Sequence, residues 1–263
     1  MQHFTSKALK AIKERYSKIR SKYIDMTLEI GAFAQKLRSE RAKEFMQHGV
    51  SRRLWLLYRC VERIYDLFPP DRIEQLEQDD RLDVEICLHA FLINIYGIIE
   101  NLALALAYEN NLIDKAISNK IKINLFNKDF RNLLNPQLRS YLSKNTITQW
   151  YAEYAKNYRD ALAHRIPPYV PPAALNAEER RQFEDFDKEI SLLYQTREFE
   201  KISALQEKQL KLGRSNPLVI HSFSEKAIPF YLHPQLLSDF VTIEELLKKA
   251  MASFYRDPSS MDN

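Results

Sequence analysis

The sequence predicts an all-α fold, and three observations carry that reading. Apolar residues recur at three- and four-residue steps through most of the chain, the spacing that lines one face of a helix. Glycine is scarce, with four in 263 residues, and tight hairpin turns depend on residues that tolerate positive φ, so a sheet-based fold is disfavoured. The paired prolines Pro69-Pro70, Pro167-Pro168 and Pro171-Pro172 fall where periodic segments end, as helix stops do. With 45% hydrophobic residues, the chain has ample material for a core.

Taken in order, residues 6–48 read as one long helix or two consecutive ones. Ile12, Tyr16, Ile19, Tyr23, Met26, Ile30, Phe33 and Leu37 share a face. Gly49 reads as a stop and Ser51 as the cap of a further helix over 52–68, with Leu54, Leu57, Val61 and Ile64 inward. Residues 83–111 form the strongest core helix, apolar on most of its circumference through Ile86, Phe91, Ile95, Ile98, Leu102 and Leu106. Gly97 in its middle costs about 0.5–1 kcal/mol relative to Ala, tolerable where another helix packs close. Residues 118–145 read as short helices and loops. A helix over 146–165 carries Ile147, Trp150, Tyr151, Tyr154, Tyr158, Ala161 and Leu162, and the prolines behind it force an extended segment.

The stretch 176–212 is charge-rich. Asn176 with Glu179 makes a capping box, and two narrow stripes follow, Phe183, Phe186, Ile190 and Leu193, then Phe199, Ile202 and Leu205. This is a charged helical hairpin inserted into the main body. Residues 218–223 and 227–232 are rich in β-compatible side chains and allow a short β-hairpin, against which Pro217 and Pro229 weigh. The last helix covers 234–255. One helical domain over 1–257 is expected, followed by a disordered tail at 258–263.

A net charge of +4 and a pI of about 8.8 permit an anionic partner without demanding one; a solvated mixed surface is the simpler reading. Cys60 and Cys87 sit in apolar patterns without metal-site spacing, as free thiols in a reducing compartment would. Residues 1–20 are charged throughout and lack the apolar run of a secretory leader, and no stretch reaches 18 apolar residues. A cytoplasmic location and no membrane association are therefore expected. Phosphate loops, HExxH, GxSxG and GxGxxG are absent and the histidines are scattered, so neither a cofactor nor a metal is expected. The acid pairs Asp79-Asp80 and Glu178-Glu179 read as solvated surface.

Chemistry concentrates at Arg159-Asp160-Ala161-Leu162-Ala163-His164. Arg followed by His with four to six residues between occurs three times, also at Arg41 with His48 and Arg214 with His221, so context decides. Arg159 is followed by Asp160 and sits late in an apolar helix just before a proline stop, whereas Arg41 precedes Ala42 in a charged helix and Arg214 lies in a loop beside Gly213. Here the sequence resembles the HEPN superfamily, whose helical-bundle domains carry Arg, a polar residue and then His near the end of a core helix. The apolar helix with Ile95, Tyr96, Gly97, Ile98, Ile99, Glu100, Asn101, Leu102 and Ala103 is similar to that superfamily's packing helix. The likeness covers roughly residues 50–170.

The resemblance implies an HEPN-like bundle, a homodimer, and a metal-independent endoribonuclease of a stress, toxin or phage-defence system. RNA is then the substrate, and an antitoxin or other protein is a partner. Arg159, Asp160 and His164 are the implied catalytic residues. Asp160 and His164, four apart, share a helix face with Asn157, and a carboxylate one turn away can orient an imidazole. Glu100 and Asn101 could face the site and support Arg159, although buried structural contacts are the commoner role for such residues. Arg159 and His164 stand about 140° apart around the helix, given roughly 100° per residue. Two motifs facing each other across a dimer axis would resolve that divergence, with Tyr154, Tyr158 and Leu162 as its apolar rim. The alternatives are a non-catalytic dimer that binds a nucleotide or a protein, and a helical scaffold that assembles through its hairpin.

Overall fold

Helix α5, Gln78–Glu109, is buried on every side through residues 94–99, as its nearly continuous apolar sequence requires. The computed structural model describes residues 4–222 and 229–254 of the chain. Ahead of α5 come α1 (Ser6–Tyr16), α2 (Ile19–Ala34), α3 (Glu40–Glu44) and α4 (Ser51–Leu67). α4 runs antiparallel to α5, and two polar ties fix the direction: Arg63 Nη2 reaches Asp83 at 2.9 Å, and Arg53 Nη1 donates to Asn94 at 2.9 Å. α2 lies along α4, with Tyr23 stacked on Tyr58 at 4.5 Å, and Tyr16 of α1 stacks on Tyr65 at 4.0 Å.

Gly49 is not a stop. A π-helical turn, Phe45–Val50, joins α3 to α4 without a break, and the Ser51 hydroxyl donates to the Met46 carbonyl instead of capping. The glycine serves a close approach: a Cβ there would lie 2.8 Å from Asn101 Nδ2 on α5. Beyond the two-residue turn at Ser17-Lys18, the wider break in the N-terminal helices is at residues 35–39. There the buried Glu109 carboxylate accepts the backbone N–H groups of Arg38 and Ser39 at 3.1 and 2.9 Å.

The chain then forms α6 (Ile113–Ser118), α7 (Lys128–Asn132), α8 (Pro136–Leu142) and α9 (Asn145–Gln149). A second π-helical turn, Trp150–Ala155, carries α9 straight into α10, Lys156–His164. The proline segment beyond it is extended, as expected, and bridges Tyr169 to Ile220 and Ala174 to Arg214. Helices α11 (Ala177–Thr196) and α12 (Phe199–Gln209) form the charged hairpin, opened by the expected Asn176–Glu179 capping box. The hairpin has its own small apolar cluster of Ile190, Ile202 and Leu205, flanked by Phe186 and Leu193. Phe199 departs from the expected stripe and is 64% exposed, because it opens α12 at the hairpin turn.

Two two-residue strands, β1 (Leu218–Val219) and β2 (Phe230–Tyr231), pair antiparallel; residues 223–228 of the expected β-hairpin lie outside the described residues. β2 runs directly into α13, Leu232–Ala252, whose apolar face packs on α1, α2, α4, α5 and α8. The tail at 258–263 lies outside the described residues. Cys60 is buried, Cys87 is half-buried, and both are free thiols. Among the described residues, one helix, α5, is long and apolar enough to cross a membrane, but 72% of its most apolar window is buried within the protein.

Candidate functional site

The continuous helix 145–164 is anchored at its middle. A π turn holds one residue more than an α turn, so every side chain after it is rotated by about 100° relative to an unbroken helix. Trp150, in that turn, donates its indole N–H to the buried Asp239 carboxylate on α13 at 2.8 Å, and Gln235 donates to the same oxygen at 2.8 Å. Burial pushes the Asp239 carboxyl up to about 7, against the opposing effect of the Tyr154, Trp150 and Gln235 side chains. Tyr151 stacks on Phe126 at 4.0 Å, and its hydroxyl lies 3.4 Å from that of Tyr96 and 3.3 Å from Asn124 Oδ1. Tyr158, 1% exposed, packs edge-on against Phe230 and His221. These aromatics are core residues, as their helical spacing indicates. Tyr158 consequently cannot serve as the rim of a dimer interface, because its own chain already covers it.

This anchoring sets Arg159 against α5. Its guanidinium carbon sits 4.0 Å from the centre of the Tyr96 ring, and Nη1 lies 3.0 Å from Asp160 Oδ1. Asp160 also meets Lys156 at 3.3 Å, so its carboxylate is engaged by cations on its own helix. The Arg159 Nε–H is buried and has no hydrogen-bond partner. The side chain opens onto a cleft of about 190 Å³ lined by Arg53, Ile93, Tyr96, Gly97, Glu100 and Arg159.

Of the residues singled out from sequence, the cleft gathers Arg159 and Glu100. His164 does not line it; it is the last residue of α10, exposed to solvent. Asn157 accepts from Arg165 through both its backbone and its side-chain oxygen, at 2.8 and 2.6 Å. Asn101, one residue past Glu100, turns to the other side of α5 and packs on Gly49. Within one chain, therefore, the arginine and histidine of the motif are not brought to one point. Among the described residues, no three His, Cys, Asp or Glu side chains converge where they could hold a metal ion.

From sequence, the Arg52-Arg53 pair could meet phosphates but reads first as solvated surface, and Tyr96 and Gly97 read as parts of the core helix, with Gly97 admitting a close neighbour. That neighbour is the Arg53 guanidinium, and only the offset of Arg53 from Gly97 across an antiparallel helix pair joins them at one cleft. The other two Arg–His pairs do not form comparable sites: His48 is exposed on the first π turn, and His221 is fully buried against Tyr158. No family model matches the chain, and no curated protein or solved structure matches it.

Proposed function

We propose that this protein is an HEPN-like, metal-independent endoribonuclease acting in a cellular stress, toxin or phage-defence role. The supporting observation is Arg159. A guanidinium held over an aromatic ring and beside a carboxylate, at the wall of a small cleft, presents a planar fork of donors suited to a phosphate oxygen. In this reading His164 takes the proton from an RNA 2′-hydroxyl. That oxygen attacks the adjacent phosphorus, Arg159 stabilises the charge that develops on the phosphoryl oxygens, and the 5′-oxygen leaves, protonated by water. The products are a 2′,3′-cyclic phosphate and a 5′-hydroxyl.

A second copy of the chain would supply the histidine. Leu82, Ile86 and Ile93 follow one another on one face of α5, all exposed, and Ile93 reaches into the cleft wall. An isologous contact along that row would bring two clefts and two α10 ends together. An antitoxin or other protein is a further partner in this reading, and a cytoplasmic setting without membrane association fits it.

The test is incubation of the purified chain with total RNA in EDTA. Cleavage leaving cyclic phosphate ends is expected, with Arg159→Ala and His164→Ala each abolishing it while circular dichroism stays unchanged. His48→Ala is the proper control, since His221 is buried and its loss would disturb packing. Equal cleavage by His164→Ala would overturn the proposal. One observation favours a second reading, a non-catalytic dimer that binds a nucleotide or protein: Asp160 is engaged by Arg159 and Lys156. Binding of RNA or nucleotide with no cleavage in the same assay would select it.

A further inference from the structure

We propose that Arg53 is the second half of a phosphate clamp, and that Gly97 is the residue that makes room for it. The inference rests on the reading of Arg159 above and adds a residue on a different helix.

Arg53 is half-buried on α4, and its guanidinium lies flat against the backbone of α5. A Cβ at Gly97 would stand 2.4 Å from its Cζ and 2.5 Å from its Nη1. Only a residue without a side chain leaves that notch open, which accounts for a helix-weakening glycine in the middle of the best core helix. The amide of Asn94 fixes the orientation. Its Nδ2 donates to the Ala90 carbonyl at 2.7 Å, which turns Oδ1 toward Arg53 Nη1 at 2.9 Å.

The partner is thus a neutral amide. Among the described residues, Arg53 has no carboxylate within ion-pair distance, and Glu100, which shares the cleft, pairs with neither arginine. A partly desolvated guanidinium whose direct partner is neutral is costly, and the second guanidinium in the same small space adds repulsion that Asp160 and Glu100 offset only in part. An anion relieves both. The planar donor fork of arginine matches a phosphate, and a phosphate fits a cleft of about 190 Å³ beside an aromatic ring. The ligand is therefore a phosphate group, carried either by an RNA strand or by a free nucleotide.

The test separates this role from a helix-to-helix tie. In the His164→Ala chain, which holds RNA uncut, binding of a fluorescein-labelled single-stranded RNA dodecamer is followed by anisotropy from 50 to 400 mM KCl in EDTA. Adenosine 5′-monophosphate is titrated in parallel by calorimetry. Arg53→Ala should weaken RNA binding and flatten the plot of log K against log salt by about 0.7, the loss of one strand phosphate. Gly97→Ala should do the same by evicting the guanidinium, yet keep or raise the melting temperature, because alanine is the better helix former. An Arg53-dependent salt slope identifies a strand phosphate, and Arg53-dependent binding of the monophosphate alone identifies a free nucleotide; either upholds the clamp. Unchanged binding of both probes in Arg53→Ala overturns it, as does a Gly97→Ala chain that unfolds at lower temperature while retaining the parent slope. Cleavage by the wild-type chain without Arg53-dependent binding would remove the clamp and leave the nuclease reading standing. Arg53-dependent binding by a wild-type chain that does not cleave would do the reverse.

Discussion

The two ends of the motif differ in how they are held. Arg159 is fixed from three sides: the Tyr96 ring beneath it, Asp160 beside it, and the helix itself clamped through Trp150 to Asp239. His164, five residues on, is exposed at the last position of α10, where the prolines take over. A rigid cation and an open imidazole on one helix suit a site in which the cation is preorganised and the base acts on whatever is brought to it. The contrast teaches that, in the proposed site, the histidine half is the incomplete one.

The largest effect expected from this difference is complementation. Arg159→Ala and His164→Ala should each lower cleavage by roughly 10²–10⁴-fold, the range for losing a charge-stabilising donor or a general base. If each cleft takes its arginine from one chain and its histidine from the other, mixing the two variants restores one of the two clefts in every mixed dimer. With random exchange, about a quarter of wild-type activity returns, since half of the dimers are mixed and each retains one site. No recovery in a mixture shown by light scattering to be dimeric would mean that one chain supplies both groups.

The anchor of the rigid end should show itself in stability. The Asp239 carboxyl is pushed up to about 7 in the folded protein, chiefly by burial, from an ordinary value of 3.8. The folded state therefore keeps a proton that the unfolded state releases, and stability falls as pH rises through the window from about 4 to 7. At roughly 1.4 kcal/mol per unit, the loss is about 4 kcal/mol once the window is crossed. Urea unfolding at pH 5 and pH 8 should show that decline in the wild type and a much flatter profile in Asp239→Asn, which can still accept from Trp150. A wild type more stable at pH 8 than at pH 5 would mean that the carboxylate is held as the charged partner of Trp150 and Gln235.

Much of this was legible in the sequence, for identifiable reasons. The helices over 83–111 and 146–165 were readable because apolar spacing reports burial directly, and the Asn176–Glu179 capping box because its two hydrogen bonds are local. Gly49 misled because a glycine that ends a helix and one that admits a neighbour's side chain look alike along the chain; only Asn101, fifty-two residues away, distinguishes them. The two π turns were invisible because each lies inside a continuous helix, where a shift of one residue in the apolar spacing looks like the ordinary alternation of three- and four-residue steps. Arg159 could be picked from its neighbours, whereas Arg53 and Tyr96 acquire meaning only when α4 and α10 are laid against α5.

A smaller effect is expected at Tyr96. Tyr96→Phe keeps the ring under Arg159 and should keep most activity, losing only the contact with the Tyr151 hydroxyl. Tyr96→Leu removes the ring face. A partly desolvated cation–π contact is worth roughly 1–2 kcal/mol, so cleavage should fall about 5- to 30-fold. Equal rates for the two variants would show that the ring does not hold the guanidinium.

The smallest effect is expected at Asp160, and it bears most directly on the contrast between the two ends. The order of residues suggests that Asp160 orients His164 one turn away; the geometry instead shows its carboxylate at 3.0 Å from Arg159 and 3.3 Å from Lys156. Ion pairs that keep some contact with solvent, as this one does at about a quarter exposure, contribute about 1 kcal/mol, and here the Tyr96 ring continues to hold the guanidinium when the carboxylate is neutralised. Asp160→Asn should therefore lower cleavage by no more than about fivefold. Its pH–rate profile should keep the wild-type shape, because the imidazole loses no partner. If Asp160 turned toward His164 in the working complex, neutralising it would remove the orienting group of the base. The loss would then reach about 10²-fold or more, and the acidic limb of the profile would move. A large loss with a displaced limb would place the aspartate at the histidine end and erase the distinction between a fixed arginine and a free base; a small loss with an unmoved limb keeps it at the arginine.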